Sequence, residues 1–277
     1  MEKLGILYIC TGVYNRLWPE FYLSAEKNLL PDMEKHYFVF TDAEKIPYEN
    51  DNPNIHVTKQ EAYKWPFATL LRFSIFLQRE AELKECDYLF FFNADAEFVK
   101  QIDREMILPR QELGEDLVVV RHAGQYSWSP DEFTYDRNPE SLAYIPKGSG
   151  EIYVCGGVNG GRSEAYLRMC HVLSDRIRDD LSRNVIATWH DESHLNKYIL
   201  EYDHFRLLTP SFTYPGQEWW NIPFEPVIVI RDKTKYFDVN KVKGIVEENH
   251  GSFVRRAINK CIRVAAAVKK ILLKKHD

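Results

Sequence analysis

Apolar residues along the chain fall into short runs separated by polar turns, and the runs alternate between two periods. Residues 4–10, 36–40, 55–57, 88–92 and 116–120 are compact apolar stretches of strand length. Between them the apolar positions recur every three or four residues. Phe21, Leu23 and Leu29 mark a helix over 14–29, and Pro66 opens a second that carries Leu70, Arg72, Phe73 and Phe76. A third runs over 162–182. Alternation of this kind predicts an α/β fold with a mostly parallel, Rossmann-like nucleotide-binding sheet. No repeat, low-complexity stretch or linker interrupts residues 1–250. They read as a single domain, with a nucleotide half over 1–110 and an acceptor half over 111–250.

The strand at 88–92 is apolar without a break, the pattern of a strand covered on both faces. It ends in Asn93-Ala94-Asp95. Ligands of open α/β sheets bind just beyond the carboxyl ends of strands. If the period of two continued, Asn93 and Asp95 would point to one side and share a ligand. A strand-ending turn explains the same two residues, since Asn and Asp favour turns. A second polar cluster, 187–198, packs Trp189, His190, Asp191, Glu192 and His194 together. Asp191 and Glu192 fall at the start of a helix, where the dipole favours acids, and Leu195, Tyr198 and Ile199 supply its buried face. His190 and His194 are four apart but lack the HExxH pattern of a zinc site. Two adjacent acids in different environments are the better catalytic candidates. Paired glycines in 155–161 mark close approach of a ligand or another backbone, or a pair of turns or bulges.

Composition changes the picture in three places. Hydrophobic content of 45% and charged content of 28% suit a soluble globular protein. Net charge is -5, but residues 252–277 hold eight Lys or Arg against one acid, a net of +7, so the preceding body carries -12. An acidic body argues against nucleic acid as a partner. The stretch 251–277 fits a basic amphipathic helix, with Val254, Ile258 and Ile262 on one side and Arg255, Lys260 and Arg263 on the other. Such a helix can lie on an anionic bilayer, dock on the body or dimerise. The five cysteines form no CxxC pair and fit a reducing compartment. With no signal peptide in the opening residues, the expected place is the cytoplasm, with peripheral contact at the inner face of the cell membrane.

Several segments together resemble glycosyltransferase family 6, the family of the histo-blood-group A and B transferases, the α1,3-galactosyltransferase and their bacterial relatives. They are Phe-Thr-Tyr-Asp-Arg (133–137), Ala-Tyr-Ile-Pro-Lys (143–147), the double-glycine segment 155–161, and Trp-His-Asp-Glu-Ser-His-Leu-Asn-Lys-Tyr (189–198). The resemblance covers roughly residues 4–215. It implies a GT-A fold, a mixed sheet with helices on both faces. It implies a retaining hexosyltransferase that moves N-acetylgalactosamine or galactose from a UDP donor in α1,3 linkage to a β-galactoside. The mammalian anchor and stem have no counterpart here, so the chain reads as a bare catalytic domain of the bacterial type.

Residue by residue, the resemblance places Ile9 and Tyr14 at the uracil, and Arg72 at the donor beside Asp191. Cys155, Gly156 and Gly157 fall where the donor sugar is chosen. His122, Thr134 and Trp189 fall at the acceptor, and Glu192 at the essential carboxylate. Asn93 and Asp95 occupy the metal motif, which holds Mn²⁺ through two aspartates in mammalian members and is Asn-x-Asn without metal in bacterial ones. One carboxylate in place of two weakens a site for a hard cation. Metal-independent transfer is therefore expected, with Asp95 as the position for Mn²⁺ if any is held. Residues 231–235, Arg-Asp-Lys-Thr-Lys, are the candidate basic loop that offsets the diphosphate charge; a solvated turn is the plain alternative. Gly157 leaves room for an N-acetyl group, which favours UDP-N-acetylgalactosamine as donor and a fucosylated galactoside as acceptor. Transfer of galactose, or a carbohydrate-binding homologue with weakened catalysis, are the alternatives.

Overall fold

The computed structural model describes residues 1–242. The expected helix at 251–277 lies outside the described residues. One compact unit spans Met1–Phe237 and a second begins at Asp238. In the first, seven strands form one sheet: β1 (Lys3–Ile9), β2 (Glu34–Thr41), β3 (Ile55–Lys59), β4 (Tyr88–Phe92), β6 (Leu117–Arg121), β7 (Val154–Arg162) and β8 (Phe205–Leu208). Their order is β3-β2-β1-β4-β7-β6-β8. A small sheet adds β5 (Ala96–Phe98), β9 (Tyr214–Pro215) and β10 (Ile228–Ile230), in the order β5-β10-β9. Among the described residues no helix is long and apolar enough to cross a membrane.

The sheet is mixed. From β3 to β4 every pair is parallel. β7 then runs antiparallel to both of its neighbours, and β8 returns parallel to β6. Both faces are covered, which is why β4 reads as an unbroken apolar run. Phe90 and Phe92 turn to the face packed by Trp18 and Phe21 of the Trp18–Asn28 helix. Leu89 and Phe91 turn to the other face, against Phe73, Phe76 and the Ser163–Ser182 helix.

Two helices depart from the pattern. The segment expected to be helical from Tyr14 begins as a 3-10 turn, Gly12–Leu17, and becomes α-helical only at Trp18. Pro19 sets that start, since its fixed φ and missing N–H suit the first helical turn. The helix after Pro66 is split at Leu71, where φ -89° and ψ 8° leave the helical range, into Phe67–Leu70 and Arg72–Phe76.

Strand β7 is where the sheet makes room for chemistry. Val119 of β6 faces Asn159, but the next residue, Val120, faces Cys155. Gly156, Gly157 and Val158 therefore bulge out of the β6 ladder, and such bulges commonly sit beside functional sites. The paired glycines divide the work. A Cβ at Gly160 would collide with the Phe90 ring, so that end serves packing. Gly156 and Gly157 face the two polar clusters.

Candidate functional site

The bulge lies between the Asn93/Asp95 turn and the Asp191–Glu201 helix. On one side, the backbone N–H of Asn93 donates to the carbonyl of Gly157 at 2.8 Å. On the other, the Gly156 N–H donates to Glu192 at 2.8 Å, and Arg72 donates to the Gly156 carbonyl at 2.6 Å. Two clusters about a hundred residues apart in sequence thus meet across two consecutive glycines.

The two acids of the helix start are held differently. Asp191 is 4% exposed and forms an ion pair with Arg72 at 2.9 Å. Arg72 is buried too and lies over the Phe91 ring at 4.1 Å, a cation–π contact in a desolvated place. Burial pushes the Asp191 carboxyl up to about 6 although Arg72 opposes the rise. Desolvation therefore outweighs the guanidinium. Glu192 instead accepts from the Tyr153 hydroxyl at 2.9 Å and from the Gly156 N–H at 2.8 Å. These two donors fix its carboxylate at the mouth of the bulge. Burial, and then the Glu192 charge, push the Tyr153 phenol far above its ordinary value, so Tyr153 stays a donor.

The helix is bound to the strand by Asn196. Its amide accepts from the Val154 N–H and donates to the Val154 carbonyl, both at 2.9 Å, and donates to the Glu192 carbonyl. A side chain thus plays the part of a neighbouring strand. At the helix cap, His190 has φ 54° and ψ -125°, an unfavourable backbone for a residue with a Cβ. Its ring packs edge-on against Trp65. His194, four residues on, is fully buried in the core, and burial lowers its pKa to about 4. The two imidazoles have separate surroundings and are not a ligand pair.

Asn93 and Asp95 also diverge. Asn93 lies against Gly157, where an added Cβ would stand 2.7 Å from its Nδ2. Asp95 is 2% exposed and its carboxylate is ion-paired with the Nζ of Lys233. Burial opposes the Lys233 charge, yet Asp95 holds its pKa above the ordinary value. Arg231 donates its backbone N–H to the Asp95 carbonyl at 2.8 Å and pairs with Glu20. Residues 231–235 thus bring a cation to the Asn93/Asp95 corner. This corner offers one carboxylate, and an ammonium engages it.

The remaining predicted residues have surroundings of their own. Tyr14 packs edge-on against Phe237 at 4.9 Å, and burial raises its phenol while Lys233 lowers it. Ile9 ends β1, half-buried against the core. His122 packs edge-on against Tyr153, and its Nδ1 accepts from the Gly124 N–H at 3.0 Å. Thr134 exchanges two hydrogen bonds with Gln125. Trp189 is 49% exposed, an aromatic face open to solvent directly before the acids. Burial pushes the Cys155 thiol up to about 12. Among the described residues, one trio of metal-ligand type, His122, Cys155 and Glu192, has donor atoms within 4.8 Å of one another.

Three residues of this site were not singled out by sequence reasoning. Tyr153 and Asn196 hold Glu192 and its helix. Asp136, buried at 1% exposure, accepts from the Thr188 N–H at 2.8 Å and anchors the loop that leads into Trp189. Asp136 and Asn196 lie within the two motifs of the resemblance, which was the available signal. A separate surface cavity of about 450 Å³ lies at the opposite end of β4, beside Asp87 and Arg162. Charges there pair among themselves, Lys84 and His171 with Glu80 and Arg168 with Glu164.

Comparison with known proteins points the same way as the geometry. A sequence profile described as glycosyltransferase family 6 matches residues 3–240. The O-antigen biosynthesis glycosyltransferase WbnI of Escherichia coli is 35% identical over 232 residues, 84% of this chain and 95% of that protein. Globoside alpha-1,3-N-acetylgalactosaminyltransferase 1 of Gallus gallus is 29% identical over 226 residues, 78% of this chain and 62% of its own. Histo-blood group ABO system transferase 1 of Rattus norvegicus is 27% identical over 197 residues, 69% of this chain and 55% of its own. The chain thus spans nearly all of the bacterial relative but less than two thirds of these vertebrate ones.

Proposed function

The chain belongs to glycosyltransferase family 6, and on that premise we propose that it moves N-acetylgalactosamine from UDP-N-acetylgalactosamine, in α1,3 linkage and with retention, to a fucosylated β-galactoside. The observation that carries this reading is the meeting of Glu192, Asp191 and Arg72 with the Asn93/Asp95 corner across the Gly156–Gly157 bulge. A UDP-sugar needs both ends: donors and cations at the diphosphate, and carboxylates at the sugar.

In this reading Ile9 and Tyr14 hold the uracil and Lys233 meets the developing charge of the leaving UDP, as electrostatic stabilisation of a leaving group requires. Asn93 and Asp95 hold the ribose side. Asp191, kept in place by Arg72, receives donor-sugar hydroxyls, with Gly156 and Cys155 lining the sugar. Glu192 faces the anomeric carbon and stabilises an oxocarbenium-like state. His122, Thr134 and Trp189 receive the acceptor, Trp189 by its exposed ring face. Transfer proceeds without a metal, because the single carboxylate at the Asn93/Asp95 corner already has the Lys233 ammonium as partner.

The glycine at 157, at the position where the family resemblance puts donor choice, supports the N-acetylated donor; the Asn93 amide lies against it and would have to turn aside for the acetamido group. The basic segment 251–277 would bring the enzyme to a membrane surface carrying glycan acceptors. The test is UDP release from UDP-N-acetylgalactosamine and from UDP-galactose, with a fucosylated galactoside, with and without EDTA. Release that requires the acceptor, prefers the N-acetylated donor and survives EDTA is the expected result. Binding of the glycan without UDP release would replace this reading with a carbohydrate-binding protein.

A further inference from the structure

We infer that His122, Cys155 and Glu192 form an inhibitory site for a thiophilic divalent cation, zinc above all, at the point where the proposed reaction takes place. The trio draws one ligand from each of three elements: the loop after β6, strand β7, and the first turn of the Asp191–Glu201 helix. One donor atom from each lies within 4.8 Å of the other two. Ligand atoms around a tetrahedral zinc stand roughly 3.4–3.6 Å apart, from bond lengths of about 2.0–2.3 Å. The three therefore need to close by about an ångström. Cys155 borders the bulge and His122 lies on a loop, where such movement is least costly.

The donor set is chemically distinct from the Asn93/Asp95 corner. Thiolate, imidazole and one carboxylate select zinc over magnesium, calcium or manganese. Three protein ligands with a fourth position open to water is the arrangement of an accessible zinc site rather than a closed structural one. Charge also balances: thiolate and carboxylate together neutralise a divalent ion. In the free protein Cys155 is a thiol, raised to about 12, so binding releases its proton to solvent. His122 must give up its hydrogen bond from the Gly124 N–H or change tautomer. Affinity therefore rises with pH. A bound ion would take the Glu192 carboxylate from its Tyr153 and Gly156 donors and occupy the space of the donor sugar.

Calorimetric titration of the full chain with zinc, and optical titration with cobalt(II) as a substitute, test the site. One zinc per chain is expected, with about one proton released at neutral pH, read from the buffer dependence of the heat. Cobalt should give a thiolate charge-transfer band. Cys155→Leu should abolish the band and weaken zinc on the order of 100-fold, and His122→Gln should weaken it similarly while keeping the band. UDP-N-acetylgalactosamine should compete with zinc. Zinc affinity unchanged in both variants, or a cobalt complex without a thiolate band in the wild type, would overturn the proposal. Circular dichroism melts of the two variants separate lost ligation from lost folding. None of these readouts requires transfer, so the site stands or falls apart from the proposed reaction.

Discussion

The bulge of β7 is flanked by two buried carboxylates whose cations differ in kind. Asp191 is paired with Arg72, a guanidinium that is itself buried, stacked on Phe91 and bonded to the Gly156 carbonyl. Asp95 is paired with Lys233, an ammonium on a flexible stem in the short turn Lys233–Lys235, whose side chain is still 29% exposed. Arginine's planar fork holds several partners at once, whereas lysine presents a single mobile charge. The first pair is part of the scaffold. The second rests on a single, partly exposed charge.

That contrast can be sharpened first at Glu192, whose carboxylate is held by a phenol and a backbone N–H rather than by a cation. Glu192→Gln should lower transfer by on the order of 10³-fold while leaving donor affinity within a few-fold, measured by single-turnover kinetics and donor titration. The amide cannot accept from both Tyr153 and Gly156, and it cannot offset a cationic sugar. Next is the scaffold pair. Arg72→Met should cost about 3 kcal/mol, the low end for stranding a buried charge, because Asp191 can take up a proton. The check is the urea midpoint at constant slope. If Arg72→Met left stability unchanged, the pair would not be architecture.

The pH dependence follows from Asp191 and His194. Asp191 is raised from its ordinary 3.8 to about 6, so its stabilising contribution is present below pH 4 and is lost as pH rises through 6. His194 is lowered from 6.5 to about 4 by burial, so its contribution is present above 6.5 and is lost as pH falls through 4. Each amounts to roughly 3 kcal/mol, and between pH 4 and 6.5 they oppose one another. His56, lowered by burial as well, adds to the rise with pH on the His194 side. His194→Leu should leave the Asp191 slope alone, making the variant more stable at pH 4.5 than at 7 relative to wild type. The acid limb of kcat/KM should fall near pH 6, where Asp191 takes up its proton.

Smaller effects are expected at the mobile pair. Lys233→Ala should weaken UDP-sugar binding roughly 10-fold, the value of one charge-assisted hydrogen bond, and cost less stability than Arg72→Met. It should also make the protein respond to added Mn²⁺, since Asp95 is then unpartnered. Smallest is Gly157→Ala. Its Cβ would press Asn93 from 2.7 Å, and that amide can swing aside. The expected result is a several-fold shift from N-acetylgalactosamine toward galactose, read in paired donor assays.

What could be read in advance follows from how local each cause is. The unbroken run at 88–92 and the 3.6-residue period of 163–182 are local signals, and both elements stand where expected. The start of the Trp18–Asn28 helix was misplaced because Pro19 outweighed an apolar pattern that began earlier. The antiparallel course of β7 had no local marker, since direction depends on partners far along the chain. Asp191 and Glu192 at a helix start were legible from their own neighbours. The pairing of Asp95 with Lys233 spans 138 residues, and the Asn196 clamp on Val154 spans 42. Neither leaves a periodic trace. The glycine segment was legible as a place of close approach, but not as two halves with separate duties.

The excursion at Gly156, Gly157 and Val158 leaves its strand opposite Val119 and rejoins it opposite Val120, two adjacent residues. Its footprint on β6 is therefore nil, while on the other side Val158 keeps its place opposite Phe92 and the Gly157 carbonyl accepts from the Asn93 N–H. A lineage can rewrite the two glycines without shifting the registration between β6 and β7. Sugar preference can then evolve on a frame that never needs to refold.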